Sequence, residues 1–145
     1  ILPCLYSELE GEALPKIVIE ISKTKYLNHI IIGLDKANKS QAKNAWKCFK
    51  KLNTEILGVS RDSIKSHENF KSKQSFPFEL LSDPDEKVCN AFDVMKLKSM
   101  YGREYIGVDR CTFLIDMNGK VLKEWRSVKV KGHVEEVLNT VKDLT

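Results

Sequence analysis

The chain has 145 residues, 42% hydrophobic and 30% charged, the size and balance of one globular domain that buries roughly two-thirds of its unfolded surface. It contains no window of about 18 apolar residues, which excludes a membrane-spanning helix and leads us to expect a soluble protein with no membrane partner. The net charge of +4 rests partly on Lys36, Lys39, Lys43, Lys47, Lys50 and Lys51, whose spacing fits the wet face of a helix as well as a phosphate-binding patch; no nucleic-acid partner is expected.

Ile1 follows neither a start methionine nor a basic-then-apolar leader, so the chain reads as cut from something longer. From Ser7 to Ile21 the apolar residues Leu9, Ala13, Leu14, Ile17, Val18 and Ile21 recur at helical spacing, with Ser7 as N-cap and Pro15 delaying the start. His29 to Leu34 is a continuous β-branched run, the pattern of a buried parallel strand. Ser40 then opens a helix to about Leu52, with Ala42, Ala45, Trp46 and Phe49 inward. Glu55 to Val59 reads as a second buried strand, followed by a helix from about Ser63 to Lys73 that turns Ile64 and Phe70 to the core and leaves His67 on a polar face.

Beyond Pro77 a short strand is expected near Glu79 to Leu81, then a helix begun by Asp83-Pro84, because Asp caps and proline is tolerated in a first turn. Met100 to Tyr105 is an aromatic stretch read as core or loop packing. Cys111 to Asp116 and Lys120 to Arg126 flank Asn118-Gly119, a strong hairpin signal. The last helix, Gly132 to Leu144, presents Val134, Val137, Leu138 and Val141 on one face. Strands and helices alternate and end in an antiparallel hairpin and a helix, which predicts an α/β fold in a single domain over residues 1–145.

The four cysteines, Cys4, Cys48, Cys89 and Cys111, are widely scattered and form none of the close pairs of a zinc site or a CxxC motif. A reducing cytoplasm is the default compartment, and no metal or other cofactor is expected. Cys48 and Cys89 read as small apolar filler on helices, and Cys111 as packing on the strand face opposite Arg110. His29, His67 and His133 form no pattern with the cysteines and read as surface or capping residues.

From Asn53 onward a series of motifs stands in order: Ile56-Leu57-Gly58-Val59-Ser60-Arg61-Asp62, Leu80-Leu81-Ser82-Asp83-Pro84, Arg110-Cys111-Thr112-Phe113-Leu114-Ile115-Asp116 with Asn118-Gly119, and Lys131-Gly132-His133. This series, over residues 53–145, resembles the peroxiredoxin family, most closely its peroxiredoxin Q branch, the bacterioferritin co-migratory proteins. The resemblance implies a thioredoxin-like three-layer α/β/α fold and an antioxidant redox role. It implies thiol-dependent reduction of hydrogen peroxide or alkyl hydroperoxides, with thioredoxin or another dithiol as reductant. It assigns Arg110 the place of the guanidinium that stabilises the attacked peroxide. The family's nucleophile sits in a Thr-x-x-Cys motif, whereas Ile1, Ala45, Glu86 and Val108 precede the four cysteines by three residues, so the activity is expected to be impaired or absent. Cys4, in Leu2-Pro3-Cys4, is the substitute thiol we expect if the chain places it at a helix start, where the dipole lowers a thiol pKa.

Residues 1–52 read differently. Leu2 to Gly11 and Ile31-Ile32-Gly33-Leu34-Asp35-Lys36-Ala37 resemble the opening βαβ unit of a GT-A glycosyltransferase. That resemblance implies a chimera joined near Phe49-Lys50-Lys51-Leu52-Asn53, with Asp35 at the place that holds the nucleoside of a sugar nucleotide. The stretch is too short for a working transferase. Sugar-nucleotide binding, or an inert chimeric domain, is the alternative to a peroxidase.

Overall fold

The computed structural model describes residues 29–34 and 39–145, with side chains described from residue 44 onward. The helix expected over Ser7 to Ile21, together with Cys4 and Asp35, lies outside the described residues.

The strands are β1 (His29–Leu34), β2 (Thr54–Ser60), β3 (Glu79–Ser82), β4 (Met95–Met100), β5 (Arg103–Val108), β6 (Cys111–Asp116) and β7 (Val121–Trp125). Five of them form one sheet in the order β3-β2-β1-β6-β7, and β4 pairs with β5 as a separate antiparallel ribbon. β1 is the middle strand: Ile31 lies opposite Ile56 of the parallel β2 on one side and opposite Leu114 of the antiparallel β6 on the other. Paired on both edges, β1 has its backbone N–H and C=O groups satisfied within the sheet. The sequence reading placed β1 at the residues where the structure has it. The Asn118-Gly119 hairpin is also as expected, joining β6 to β7, with the Asp116 carboxylate accepting the Asn118 and Lys120 amides at 2.8 and 2.9 Å.

The helices are α1 (Lys39–Lys51), α2 (Ile64–Gln74), α3 (Lys87–Ala91) and α4 (His133–Leu144). Alternation along β6 divides the core into two. Cys111, Phe113 and Ile115 pack with Leu57 and Val59 of β2 against Val88, Cys89, Phe92 and Val94, from α3 and the chain after it. Leu114 turns to the other face, where Ala45 and Phe49 of α1, Trp125, and Val137 and Val141 of α4 enclose it. Helices on both faces of the sheet give the three-layer α/β/α arrangement that the sequence predicts. A third cluster, Phe76 and Phe78 with Trp46, Ile56, Phe70 and Leu80, closes the β3 edge. Burying a side chain such as Phe113 or Leu114 in these layers contributes about 1.5 to 3 kcal/mol.

Several local expectations change. α3 begins at Lys87 rather than at Pro84; Asp83 still caps it, from farther back, through its carboxylate to the Val88 and Cys89 amides at 3.2 and 2.8 Å. Ile64 is half exposed at the solvent side of α2, while His67 is buried. Cys48 is exposed, because the inward stripe of α1 runs through Ala45 and Phe49 and leaves it outside. The stretch around Met100, read as core or loop packing, is the tip of the β4–β5 hairpin, where Tyr101 and Gly102 take positive φ values of 53° and 75°. Two positive φ values in succession are the signature of a two-residue hairpin turn.

Candidate functional site

β1, β2 and β3 all end at one edge of the sheet, and β6 begins there: Leu34 lies opposite both Val59 and Cys111, and Ser60 lies opposite Ser82. The carboxyl edge of parallel strands is where α/β folds form their ligand crevices. Arg110 stands at this edge, half buried, in the two-residue connection between β5 and β6.

Its backbone is tied on both sides. The Asp109 amide donates to the Val94 carbonyl at 2.7 Å, and the Arg110 carbonyl accepts from the Val128 amide at 2.8 Å. The Asp109 carboxylate accepts from the amide and the hydroxyl of Ser127, both at 2.9 Å, and the Cys111 thiol donates to it at 3.6 Å. Burial raises the Asp109 carboxyl, yet the two Ser127 hydrogen bonds and the Cys111 thiol outweigh it and hold the group below the usual carboxylate range.

The cysteines divide by environment. Cys89 is fully buried, and that burial, followed by the hydrogen bond and charge of Asp83, pushes its thiol up to about 12. Burial also raises Cys111, against the hydrogen bond from the Ser127 backbone. Both are protonated at neutral pH, and a thiol in that form is a poor nucleophile. Cys48 is exposed on α1. Cys4, the substitute thiol, and Asp35, the proposed nucleoside contact, lie outside the described residues, so of the predicted site residues the structure places only Arg110.

A polar network beside Arg110's edge of the sheet was not anticipated. Ser60 Oγ donates to the Asp62 carboxylate at 3.0 Å, accepts from the Asp62 amide at 3.2 Å and sits 2.6 Å from His67 Nε2. Its single hydrogen is given to Asp62, so Ser60 accepts from His67, which assigns the ring proton to Nε2. Ser82 Oγ donates to the Asp62 carbonyl at 2.6 Å and ties the end of β3 to the same turn. On the α4 side, His133 Nε2 is 2.8 Å from Thr112 Oγ1, and burial lowers the His133 pKa against the raising effect of Glu136. Among the described residues, no group of three or more His, Cys, Asp or Glu side chains is arranged to hold a metal ion, and no helix is long and apolar enough to cross a membrane.

The model of the AhpC/TSA family matches residues 36–124. Peroxiredoxin Bcp of Xanthomonas campestris is 54% identical over 94 residues, covering 65% of this chain and 59% of that protein. Peroxiredoxin Bcp of Bacillus subtilis is 53% identical over 97 residues, covering 67% and 62%. The chain thus spans about three-fifths of the length of these curated relatives. Among solved structures, peroxiredoxin Q of Xanthomonas campestris superposes with a TM-score of 0.72 at 42% identity, covering 80% of this chain and 78% of that one. A cysteine-to-serine mutant of Xylella fastidiosa PrxQ gives 0.73 at 41% identity, covering 84% and 81%. The family match begins at residue 36, ahead of Leu52, and so takes in α1, which the glycosyltransferase resemblance had assigned to the front segment.

Proposed function

Because the chain belongs to the AhpC/TSA family, as a peroxiredoxin of the Bcp and PrxQ type, we propose that it carries the peroxide-facing half of a thiol-dependent peroxide reductase whose own thiol chemistry is impaired. In the reaction a thiolate attacks one peroxide oxygen, an S–O bond forms, and the O–O bond breaks. The cysteine is oxidised to a sulfenic acid, and the departing oxygen takes a proton and leaves as water or an alcohol. A dithiol such as thioredoxin then returns two electrons, and the sulfenic oxygen leaves as a second water. Arg110 supplies a permanent, planar cation to the oxygen on which negative charge develops.

The observation that carries this reading is the placement of Arg110: half buried, at the carboxyl edge of the sheet, with its carbonyl bonded to the Val128 amide. The impairment rests on the sequence and on burial. No cysteine of the 145 residues has threonine three positions before it, and Cys89 and Cys111 are buried and protonated. Cys4 is the thiol we assign to the reaction where one operates. An inert domain is the second reading, and the protonated state of Cys89 and Cys111 favours it.

Intact mass after brief exposure to hydrogen peroxide with a sulfenic-acid trap separates the two, on the native chain, on Arg110→Ala and on each single cysteine replacement. Trapping at one cysteine that exceeds the others and slows further in Arg110→Ala supports the impaired reductase. Uniformly slow trapping that ignores Arg110 sinks it and leaves a scaffold without its reaction.

A further inference from the structure

We propose that Asp109 is a positioning residue, which clasps Ser127 and so holds Arg110 at the sheet edge. The inference rests on the reading of Arg110 given above and assigns a role to two residues that touch no reacting atom.

Arg110 lies between two residues that share one anchor. Asp109, before it, receives the Ser127 amide and hydroxyl on one carboxylate oxygen, and Cys111, after it, donates its thiol to that same oxygen. Val128, the next residue of the same segment, donates its amide to the carbonyl of Arg110 itself. Residues 127 and 128 therefore grip residues 109 and 110 across the start of β6, in a stretch that follows the end of β7.

This segment is rooted in the core. Arg126 donates to the Phe92 and Asp93 carbonyls at 3.2 and 2.9 Å, pairs with the Glu124 carboxylate at 2.9 Å and lies 5.4 Å over the Phe113 ring. Ser127 takes a φ of 49°, a left-handed conformation that a residue with a Cβ rarely adopts. Such strain persists where the surroundings over-determine it. Here the surroundings are the Asp109 carboxylate on one side and the Arg126 anchor on the other. A carboxylate accepts several donors at once and gives none, which suits a centre that must take two N–H or O–H groups and a thiol together.

The test reads Arg110 directly. Relaxation of the Arg110 Nε–H in the full chain is compared among the native protein, Asp109→Ala and Ser127→Ala, with thermal midpoints taken alongside. The clasp predicts a rigid native group whose order parameter drops below about 0.6 in Asp109→Ala and by a smaller step in Ser127→Ala. Should Asp109→Ala not fold, Ser127→Ala, which removes one hydroxyl, carries the test. An Arg110 order parameter unchanged in the folded variants overturns the clasp.

Trapped sulfenic acid formation separates this inference from the reading beneath it. A rate that falls on the order of tenfold in both Asp109→Ala and Arg110→Ala, the scale of a small misplacement, supports both. A fall in Arg110→Ala alone overturns the clasp and keeps the reductase. No change in Arg110→Ala removes the peroxide reading, and the order parameter then decides the clasp by itself.

Discussion

Replacing Asp83 by alanine removes the carboxylate on which α3 is built. Asp83 is 5% exposed and accepts the amides of Val88 and Cys89, both of which it delivers into the core. Loss of a helix cap costs about 0.5 to 2 kcal/mol, and each buried amide left without its acceptor costs about 1 to 3. Water entering the vacated space recovers part of this, so the net loss is about 3 kcal/mol. With a urea slope of roughly 1 to 3 kcal/mol per molar, the unfolding midpoint falls by about 1 to 3 M. A second readout is chemical. Burial is the main reason the Cys89 thiol stands at about 12, and the Asp83 hydrogen bond and charge come next. Without them the thiol titrates lower while burial still keeps it above its ordinary value, and labelling of Cys89 accelerates. A urea midpoint unchanged in Asp83→Ala, or Cys89 labelling no faster than native, would refute the capping argument.

Phe113→Ala, which empties a site between Phe92 and the Arg126 guanidinium, should cost about 3 to 5 kcal/mol, read as the shift in urea midpoint at constant slope. A shift under about 1 kcal/mol would mean that the two rings do not pack as described. Brief labelling with a small thiol reagent should modify Cys48 well before Cys89 or Cys111, and peptide mass mapping that finds the buried pair labelled first would contradict the burial pattern. Stability should fall as pH drops below 6.5, because burial lowers His133 in the folded state and the unfolded chain takes up more protons there. The decline ends below the folded His133 pKa and resumes below 3.8, where protons compete with Ser127 for Asp109. Urea midpoints from pH 8 to 5 in His133→Asn should show a flatter profile than native, and an equal slope would remove His133 as its cause.

The long-range architecture was legible where one residue type settles one environment. The run Ile30-Ile31-Ile32 reads as a strand, and the structure pairs it with β2 and β6, while Asn118-Gly119 permits little except a turn between strands. Arg110 was picked out through its motif, and it immediately precedes β6. The β4–β5 hairpin was missed, although Met95-Lys96-Leu97-Lys98 alternates, because Tyr101-Gly102 is a weaker turn signal than Asn-Gly and the ribbon leaves Leu97 and Ile106 exposed. His67 was read as solvated because a helix with few apolar residues does not announce which face is inward; Ser60 and Asp62, distant in the pattern, decide it. Asp109 and Ser127 gave no sequence signal, since a clasp between two loops leaves no period to read.

The middle position of β1 has a consequence for synthesis. It is the first of the described strands to leave the ribosome, yet one of its two partners, β6, is translated most of the chain later. At ordinary elongation rates that interval is on the order of ten seconds. Throughout it the most apolar of the described strands carries an open hydrogen-bonding edge, so the nascent chain is the form most exposed to misassembly, and a holdase that binds short apolar segments would find its target at Ile30-Ile31-Ile32.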